Sequence, residues 1–435
     1  MFKNYTKSEK SWILYDIGNS AFTMMVSTII PLWYNTLAAE AGLDEDRYLA
    51  TWSFALSIAT IVTAVLGPIT GSISDNKGYK KKMFTFVLIV GAVFCALLGT
   101  VSSFMAYLVI FVIAKIMYQL SLVYYDSMIN DVTTPDRMDN VSSQGYAWGY
   151  IGSCIPFIVA LLMYFLGLQD IIPPKVAILI DFLVIAAWWV GVSTPLLKNY
   201  EQKYYVQTDA GAIKESFRRL GSTLVHMYRT DRKVFFFLLA FFFYIDGVYT
   251  IIDEAVAFGS ALGMDQMGLL VILLLTQVVA FAFATIFGKL SKTHSSVQLI
   301  TICIIGYTVI AFYGLVMKEL WQFGIMAFGV GMFQGAIQAL SRSYYGKIIP
   351  AEKSGEYFGI YDICGKGAAF VGTTLVGIVV SVTESTNIAI AMLAILFVCG
   401  LIFFRKSAKI ESTNGSAGED DAPGNEGQRP APSES

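Results

Sequence analysis

The chain has few of the residues from which soluble enzymes build their sites. Only 14% of its 435 residues are charged, and its two histidines, His226 and His294, both fall between long apolar stretches. This scarcity argues against a haem protein, a zinc enzyme or a histidine proton relay within a membrane. We expect no metal site and no cofactor.

Several sequence motifs are also missing. The chain lacks the G-x-x-x-x-G-K-[ST] loop, which argues against direct ATP drive. No cleavable signal peptide is expected, because the first apolar stretch is too long and has no small-residue cleavage site. The cysteines lie in apolar stretches without a C-x-x-C pair, so we interpret them as small packing residues. They are Cys95, Cys154, Cys303, Cys364 and Cys399.

Apolar stretches of roughly 20 to 25 residues dominate what is present, and 56% of the chain is hydrophobic. A helix needs ~20 residues to cross a bilayer core, and the period-two alternation of a barrel is absent. The sequence therefore predicts an all-α membrane protein of 12 transmembrane helices. The predicted spans are 11–36, 48–73, 82–103, 104–128, 141–167, 174–197, 231–257, 264–288, 297–317, 319–343, 355–381 and 384–404.

The distribution of basic residues predicts the orientation. Only Arg47, Lys175 and Lys318 fall in loops on one side, whereas nearly all other lysines and arginines fall on the side that holds both termini. By the positive-inside rule, both termini are cytosolic. The short loops favour a prokaryotic cell membrane, and an organelle membrane stays open as the alternative.

The longest internal connection divides the spans six and six. We expect an N-terminal half (1–197), a cytosolic linker (198–230), a C-terminal half (231–404) and a disordered, acidic tail within 405–435. Segment 213–232 is either an amphipathic helix on the inner leaflet or a solvated basic linker. Two halves of this kind suggest a transporter built from repeats, with its site between them.

The loop between spans 2 and 3 resembles the G-x-x-x-D-x-x-G-R/Y-K/R-K/R signature of the major facilitator superfamily. Gly71 permits close helix packing, Gly78 permits the turn, and Asp75 would latch the cytosolic side by pairing with a basic group or a helix N-terminus. The alternative is an ordinary basic loop. The corresponding loop after span 8 begins at Gly288 and lacks the aspartate, so any second latch should be weaker or different.

Further segments are similar to one branch of that superfamily, the vacuole-effluxer-like permeases related to the fungal autophagy-linked vacuolar amino-acid effluxer. Residues 12–22 resemble the branch pattern W-x-L-Y-D-x-A-N-S-A-[FY], with Gly18 in place of alanine. Segments 145–152, 244–252 and 334–366 continue the resemblance through both halves. It implies the facilitator fold of two six-helix halves and the movement of a solute.

Charged groups within a span are functional candidates, because burying them is costly unless they are paired or hydrated. Lys115 lies about halfway along span 4 and Asp246 about halfway along span 7. The resemblance places spans 1, 4, 7 and 10 around a central cavity, which adds Asn19 and Gln334. We expect Lys115 to bind a carboxylate or phosphate, and Asp246 to bind an amine, a coupled proton or both. Alternatively, Lys115 and Asp246 pair with each other structurally.

A second group of charges lies toward the cytosolic ends of the spans. It consists of Asp16, Asp126, Arg342, Asp362 and Lys366. Asp362 and Lys366 are four residues apart, so they form either an intrahelical pair or, with the others, an inner gate that exchanges partners. Span 1 also carries a polar stripe that must face protein or water rather than lipid.

These observations favour a secondary transporter that works by alternating access and is not an enzyme. We expect a small zwitterionic or amphipathic solute, with amino-acid efflux favoured by the resemblance and with coupled protons as an option. A lysophospholipid or a drug-like amphiphile is the alternative. A membrane-embedded enzyme or a sensor is less favoured, because Asp253 and Glu254, the nearest carboxylate pair, are interpreted as an exposed loop start. The expected partners are the solute and membrane lipid, without nucleic acid, and the chain should be a monomer.

Overall fold

The computed structural model describes residues 4–43, 45–207 and 227–410. The predicted tail from Glu411, His226 and most of the predicted amphipathic segment (213–226) lie outside the described residues. In the N-terminal half, the spans are Lys7–Ser27 with Ile29–Glu40 (span 1), Glu45–Ser74 (2), Tyr79–Leu98 (3), Phe104–Ser127 (4), Pro135–Gly152 with Cys154–Leu168 (5) and Pro174–Asn199 (6); the short helix Ile129–Val132 joins spans 4 and 5.

The C-terminal half repeats the count. Its spans are Arg232–Asp253 (7), Gln266–Leu290 (8), Ser296–Tyr313 (9), Leu320–Ile348 (10), Ser354–Thr383 (11) and Thr386–Met392 with Ala394–Lys409 (12), with short helices at Ala255–Ala261, Gly314–Val316 and Ala351–Lys353. Within the described ranges, 11 helices are long and apolar enough to cross a membrane, and span 11 contributes the shorter apolar helix Val371–Thr383. The predicted count of 12 is confirmed. Spans 1, 5, 10 and 12 run several residues beyond the predicted ends, because hydropathy marks the hydrocarbon edge and not the end of the backbone hydrogen bonds, whereas spans 3, 7 and 9 end several residues earlier than predicted.

Two spans of the N-terminal half are broken at the same distance before a proline. The first helix of span 1 ends at Ser27, four residues before Pro31, and the first helix of span 5 ends at Gly152, four residues before Pro156. A proline lacks an N–H and its ring clashes with the carbonyl four residues earlier, so the helix is interrupted there. Each of these spans therefore consists of two helical segments joined at one residue.

Each half fastens its first span to its fourth with the same kind of hydrogen bond. The Tyr15 hydroxyl on span 1 lies 2.7 Å from the Ser121 hydroxyl on span 4. The Tyr244 hydroxyl on span 7 lies 2.6 Å from the Ser341 hydroxyl on span 10. The repeat suggested by the division of the spans is thus present in the side-chain contacts as well.

The two halves meet at the membrane edge where span 1 begins and span 12 ends, which we call the terminal side. Spans 2 and 11 cross there so closely that a Cβ atom on Gly71 would overlap the carbonyl of Gly355. A Cβ atom on Gly359 would lie 2.5 Å from the backbone of Pro68. Beyond this crossing, Thr23 in the middle of span 1 and Asp253 at the end of span 7 have exposed side chains. We call the region between the halves beyond the crossing the cleft, and the contacts of spans 2 and 11 close it on the terminal side.

We predict that Gly359→Ala loosens the terminal side, because the new methyl group meets backbone atoms that cannot rotate away. Overpacking of this kind typically costs about 1–3 kcal/mol. Double electron–electron resonance between spin labels in loops 76–78 and 350–353, on a variant without the native cysteines, should show a larger population of long distances. Gly377→Ala on the same span is the matched control, because its Cβ atom would meet nothing within 4 Å. An equal response of the two variants would contradict the crossing as the cause.

Candidate transport site

A buried arginine closes the bottom of the cleft. Arg342 on span 10 is 2% exposed, and its guanidinium donates to Asp16 at 3.1 Å and to Asp126 at 3.0 Å. It also donates to the Ser142 hydroxyl at 2.9 Å and to the Ser142 carbonyl at 3.1 Å. One side chain of the C-terminal half thus binds spans 1, 4 and 5 of the N-terminal half. The sequence placed these three charges together, and the structure brings them into contact.

Aromatic rings complete the environment of this guanidinium. Its central carbon lies 4.5 Å from the ring centroid of Trp12, 5.4 Å from that of Tyr125 and 4.4 Å from that of Tyr146. A planar, weakly hydrated guanidinium is suited to such stacking, which replaces the water lost on burial. Gly145 makes room for the arrangement, because a Cβ atom there would overlap the Asp16 carboxylate. We call Arg342 with Asp16, Asp126 and these three rings the inner gate.

Asp75 forms the contact that the sequence predicts for it. Its carboxylate accepts from the backbone N–H of Gly355 at 2.7 Å and of Glu356 at 2.9 Å, at the N-terminus of span 11. The partial positive charge of a helix N-terminus favours an anion there. Gly78 has a φ of 76°, the left-handed conformation expected for the turn. The contact is present, and its role as a latch stays a prediction.

Lys80 extends the same contact. It is fully buried, lies 3.4 Å from Asp75 and donates to the Ser354 hydroxyl at 2.7 Å. The basic run of the loop therefore supplies a partner for Asp75 within its own half and a hydrogen bond to the other half. Burial raises the pKa of Asp75 to about 6, although Lys80 and the two N–H donors oppose this shift.

The second half uses a different arrangement, as the missing aspartate after span 8 predicts. Here the carboxylate comes from the beginning of span 5, where Asp139 lies 2.6 Å from Lys347 and accepts from Ser343 at 2.6 Å and Ser296 at 2.7 Å. The neighbouring Asn140 donates to the carbonyl of Gly288. Asp139 is not among the residues predicted from the sequence, although its position in the first turns of a span is a signal that could have identified it.

Each half carries a charged residue beyond the inner gate. Lys115 on span 4 is half-buried and lies 5.7 Å from the ring centroid of Tyr118, whose hydroxyl bonds Thr23 on span 1. Asp253, the exposed last residue of span 7, is a charge of opposite sign in the C-terminal half. Asp253 was interpreted from the sequence as part of an exposed loop start. Its side chain is exposed as expected, and the helix of span 7 ends at this residue, before the predicted end at 257.

The alternative pairing of Lys115 with Asp246 does not form in this structure. Asp246 is fully buried and accepts from the backbone N–H of Gly372 on span 11 at 2.9 Å. Its second carboxylate oxygen has no hydrogen-bond partner among the described residues. Counting residues along a span gives the depth of a side chain, and it does not show which neighbouring span that side chain contacts.

The other predicted residues lie around these two sites. Asn19 is buried beside the inner gate and donates to Asp16 at 3.4 Å. Gln334 is buried in the C-terminal half, where it lines a cavity of about 40 Å³ between spans 7, 8 and 10. Asp362 is half-buried on span 11, and the side chain of Lys366 lies outside the described part of the structure, so that predicted pair is untested. A further buried acid, Asp181 on span 6, was missed, although a charged residue inside a span is itself a signal.

Comparison with known families agrees with this geometry. The profile of the family described as "Vacuole effluxer Atg22 like" matches residues 5–413. The chain belongs to this family. Among its relatives, the "Uncharacterized MFS-type transporter YxiO" of Bacillus subtilis is 38% identical over 97% of this chain and 100% of the relative. "Autophagy-related protein 22" of Saccharomyces cerevisiae is 23% identical over 90% of each chain.

Solved structures share the fold of this family member. A crystal structure of FucP, a major facilitator superfamily transporter in the outward conformation, superposes with a TM-score of 0.70 at 14% identity, over 93% of this chain and 98% of that one. A bacterial homologue of the iron transporter ferroportin gives a TM-score of 0.68 at 13% identity, over 93% and 99%. The chain is therefore a multi-pass membrane transporter of the major facilitator superfamily, with its 12 helices in two six-helix halves. The family assignment supports transport rather than catalysis.

The raised pKa of Asp75 predicts a pH dependence of the closed terminal side. When the loop leaves span 11, the carboxylate regains water and its pKa returns toward the ordinary value of 3.8. Because the closed state has the higher pKa, proton uptake favours closing as the pH falls from 7 to 5, by about tenfold in population. The spin-label distance in loops 76–78 and 350–353 should report this change, and Asp75→Asn should abolish it. An opening of the terminal side at pH 5 would contradict the sign.

Proposed function

We propose that this transporter moves a small zwitterionic solute by alternating access, with amino acids as the first class to test. The observation that supports the proposal is one pair of charges. Lys115 on span 4 belongs to the N-terminal half, Asp253 at the end of span 7 belongs to the C-terminal half, and the two residues carry opposite charges. A carboxylate of the solute would bind Lys115, and its amine would bind Asp253.

Such a solute would contact both halves at once, so its binding energy depends on their separation. A ligand shifts a conformational equilibrium only through a difference in its affinity for the two states. A zwitterion that bridges Lys115 and Asp253 binds best when the open side closes around it. Closing on that side requires the terminal side to separate, which releases Arg342 from Asp16 and Asp126.

Asp246 is the proposed site of a coupled proton. Burying an ionised carboxylate without a compensating cation costs free energy, and a bound proton removes most of that cost at Asp246. Its carboxylate accepts from the backbone of Gly372 in the middle of span 11, and the N-terminus of the same span donates to Asp75. Protonation of Asp246 would thus change a contact of the helix that joins the two halves.

The orientation and direction of transport belong to the same proposal. The excess of basic residues on the terminal side supports a cytosolic position for both termini, and the bacterial relative supports a prokaryotic cell membrane. The family description, "Vacuole effluxer", supports efflux as the direction. A single chain contains both halves of the cleft, which is consistent with a monomer in the lipid bilayer.

A lysophospholipid or another amphiphile is the second candidate. The observation in its favour is the aromatic lining of the inner gate and the cleft floor, where Tyr118, Trp12 and Tyr146 surround the charged groups. Aromatic rings provide large apolar surface with a polar edge, which suits an acyl chain near a charged headgroup. A zwitterion without an apolar chain would instead bind through Lys115 and Asp253 alone.

Flux measurements with purified protein in proteoliposomes that contain a pH-sensitive dye would test the proposal. The solutes should be amino acids, their decarboxylated amines, their deaminated acids, peptides, sugars and lysophospholipids. We expect flux for amino acids and little for either analogue with a single charge. Asp246→Asn should abolish the accompanying proton movement. Flux of a lysophospholipid without flux of any amino acid would select the second candidate.

We predict that Lys115→Met and Asp253→Asn each lower amino-acid flux at least about tenfold, since each loses a charged contact worth about 1.5–3 kcal/mol. The losses should differ in kind: Lys115→Met should spare the decarboxylated amine, and Asp253→Asn should spare the deaminated acid. Lys318→Met, an exposed lysine in the loop between spans 9 and 10, is the matched control. If the control and the two cleft variants transport amino acids equally, the charge pair does not bind the solute.

A further inference from the structure

The beginning of the linker is packed against the loop that carries Asp75. Residues 200–206, which we call the strap, leave span 6 and run beside the loop between spans 2 and 3. The side chain of Gln202 accepts from the backbone N–H of Gly78 at 2.9 Å and donates to the carbonyl of Ser74 at 3.2 Å. One strap residue thus contacts the loop on both sides of Asp75.

The backbone of the strap makes a further contact with the same loop. The backbone N–H of Val206 donates to the carbonyl of Asp75 at 2.9 Å. This hydrogen bond belongs to an isolated parallel bridge that pairs Val206 with Asn76. The strap therefore contacts the loop at Asp75, which binds span 11, and on both sides of it.

The strap also donates hydrogen bonds to a second buried carboxylate. Asp131, on the short helix between spans 4 and 5, is 1% exposed, and one of its oxygens accepts from the backbone N–H groups of Lys203 and Tyr204, each at 2.9 Å. Its other oxygen accepts from the Tyr200 hydroxyl at 2.6 Å. Burial and the charge of Asp131 raise the pKa of Tyr200 well above its ordinary value of 10.0, so the hydroxyl remains a donor.

Lys80 lies between this carboxylate and the contact with the other half. Its ammonium is 3.8 Å from Asp131, on the oxygen that Tyr200 also bonds, and 3.4 Å from Asp75. It donates at 2.7 Å to Ser354 at the beginning of span 11. Two acids therefore share one buried cation. Because the three donors of the strap stabilise the Asp131 carboxylate, they weaken its attraction for Lys80.

We propose that the strap is a positioning element of the closed terminal side. While it is bound, its three donors compensate Asp131, and Lys80 stays with Asp75 and Ser354. When the strap detaches, Asp131 loses these donors and draws Lys80 toward itself, which weakens the contact with span 11. Since the strap continues into the connection between the halves, a change in that connection reaches the closed side directly. The proposal rests on alternating access and not on the identity of the solute.

Tyr200→Phe tests the proposal by removing one hydroxyl donor to Asp131. We expect the population with an open terminal side to rise about three- to tenfold, because a hydrogen bond to a charged group is lost. The readout is again the spin-label distance between loops 76–78 and 350–353. Tyr204→Phe is the matched control, because Tyr204 donates to Asp131 through its backbone N–H, which this substitution keeps. An unchanged distance distribution in Tyr200→Phe would overturn the proposal.

A double variant separates this role from simple structural damage. Asp131→Asn removes the charge that competes for Lys80, and its carbonyl oxygen can still accept from the strap. In the Tyr200→Phe background, Asp131→Asn should therefore restore the closed population to within about twofold of the wild type, because the competition for the cation has ended. Damage to packing would instead add to the first defect and open the terminal side further. That result would overturn the competition for Lys80 and with it the positioning role of the strap.

Discussion

The structure depends on one constraint: an ionisable group inside the helical bundle must be paired with a counter-charge inside the protein or be kept neutral, because hydrocarbon provides no hydration. Arg342, Lys80 and Lys347 meet this constraint with Asp16, Asp75 and Asp139, all of them acids from the N-terminal half. These pairs gather on the terminal side, where the cleft is closed. The position of the charges thus determines which side of the membrane is sealed.

A seal made of buried ion pairs is suited to repeated opening. The attraction between two buried charges is largely offset by the loss of their hydration, so the net contribution of such a pair is small. Apolar packing of the same area has no such cost of lost hydration, so it would hold the two halves together more strongly. The glycines at the crossing of spans 2 and 11 also make the halves easier to separate, because backbone atoms in contact can part without disturbing interdigitated side chains. Both features keep the two conformations of a transporter close in free energy.

The sequence predicts the fold well because the membrane constrains it strongly. Span number, division into halves and the loop of Asp75 all follow from apolar length and local spacing, and the structure confirms the 12 spans. The cluster of Arg342, Asp16 and Asp126 could also be predicted, since each lies at a similar depth. The hydrogen bond of Asp246 to span 11 could not, because it depends on how the helix is rotated and on which neighbour it meets. The contact of the strap with Asp131 could not be predicted either, because hydrophobic periodicity identifies helices and the strap is an extended segment.

The interrupted spans have a mechanical consequence. Spans 1 and 5 are each divided at one residue, and the helix of span 7 ends at Asp253 before a new short helix begins. The outer portion of span 1 stays attached to its own half, because the hydroxyls of Tyr48 on span 2 and Tyr107 on span 4 donate to the carbonyls of Pro31 and Ile30. The break at Thr28 therefore lets the helix axis change direction without releasing the outer portion. A change of angle at this residue would move the outer portion together with spans 2 and 4, so the movement of span 1 is shared within its half.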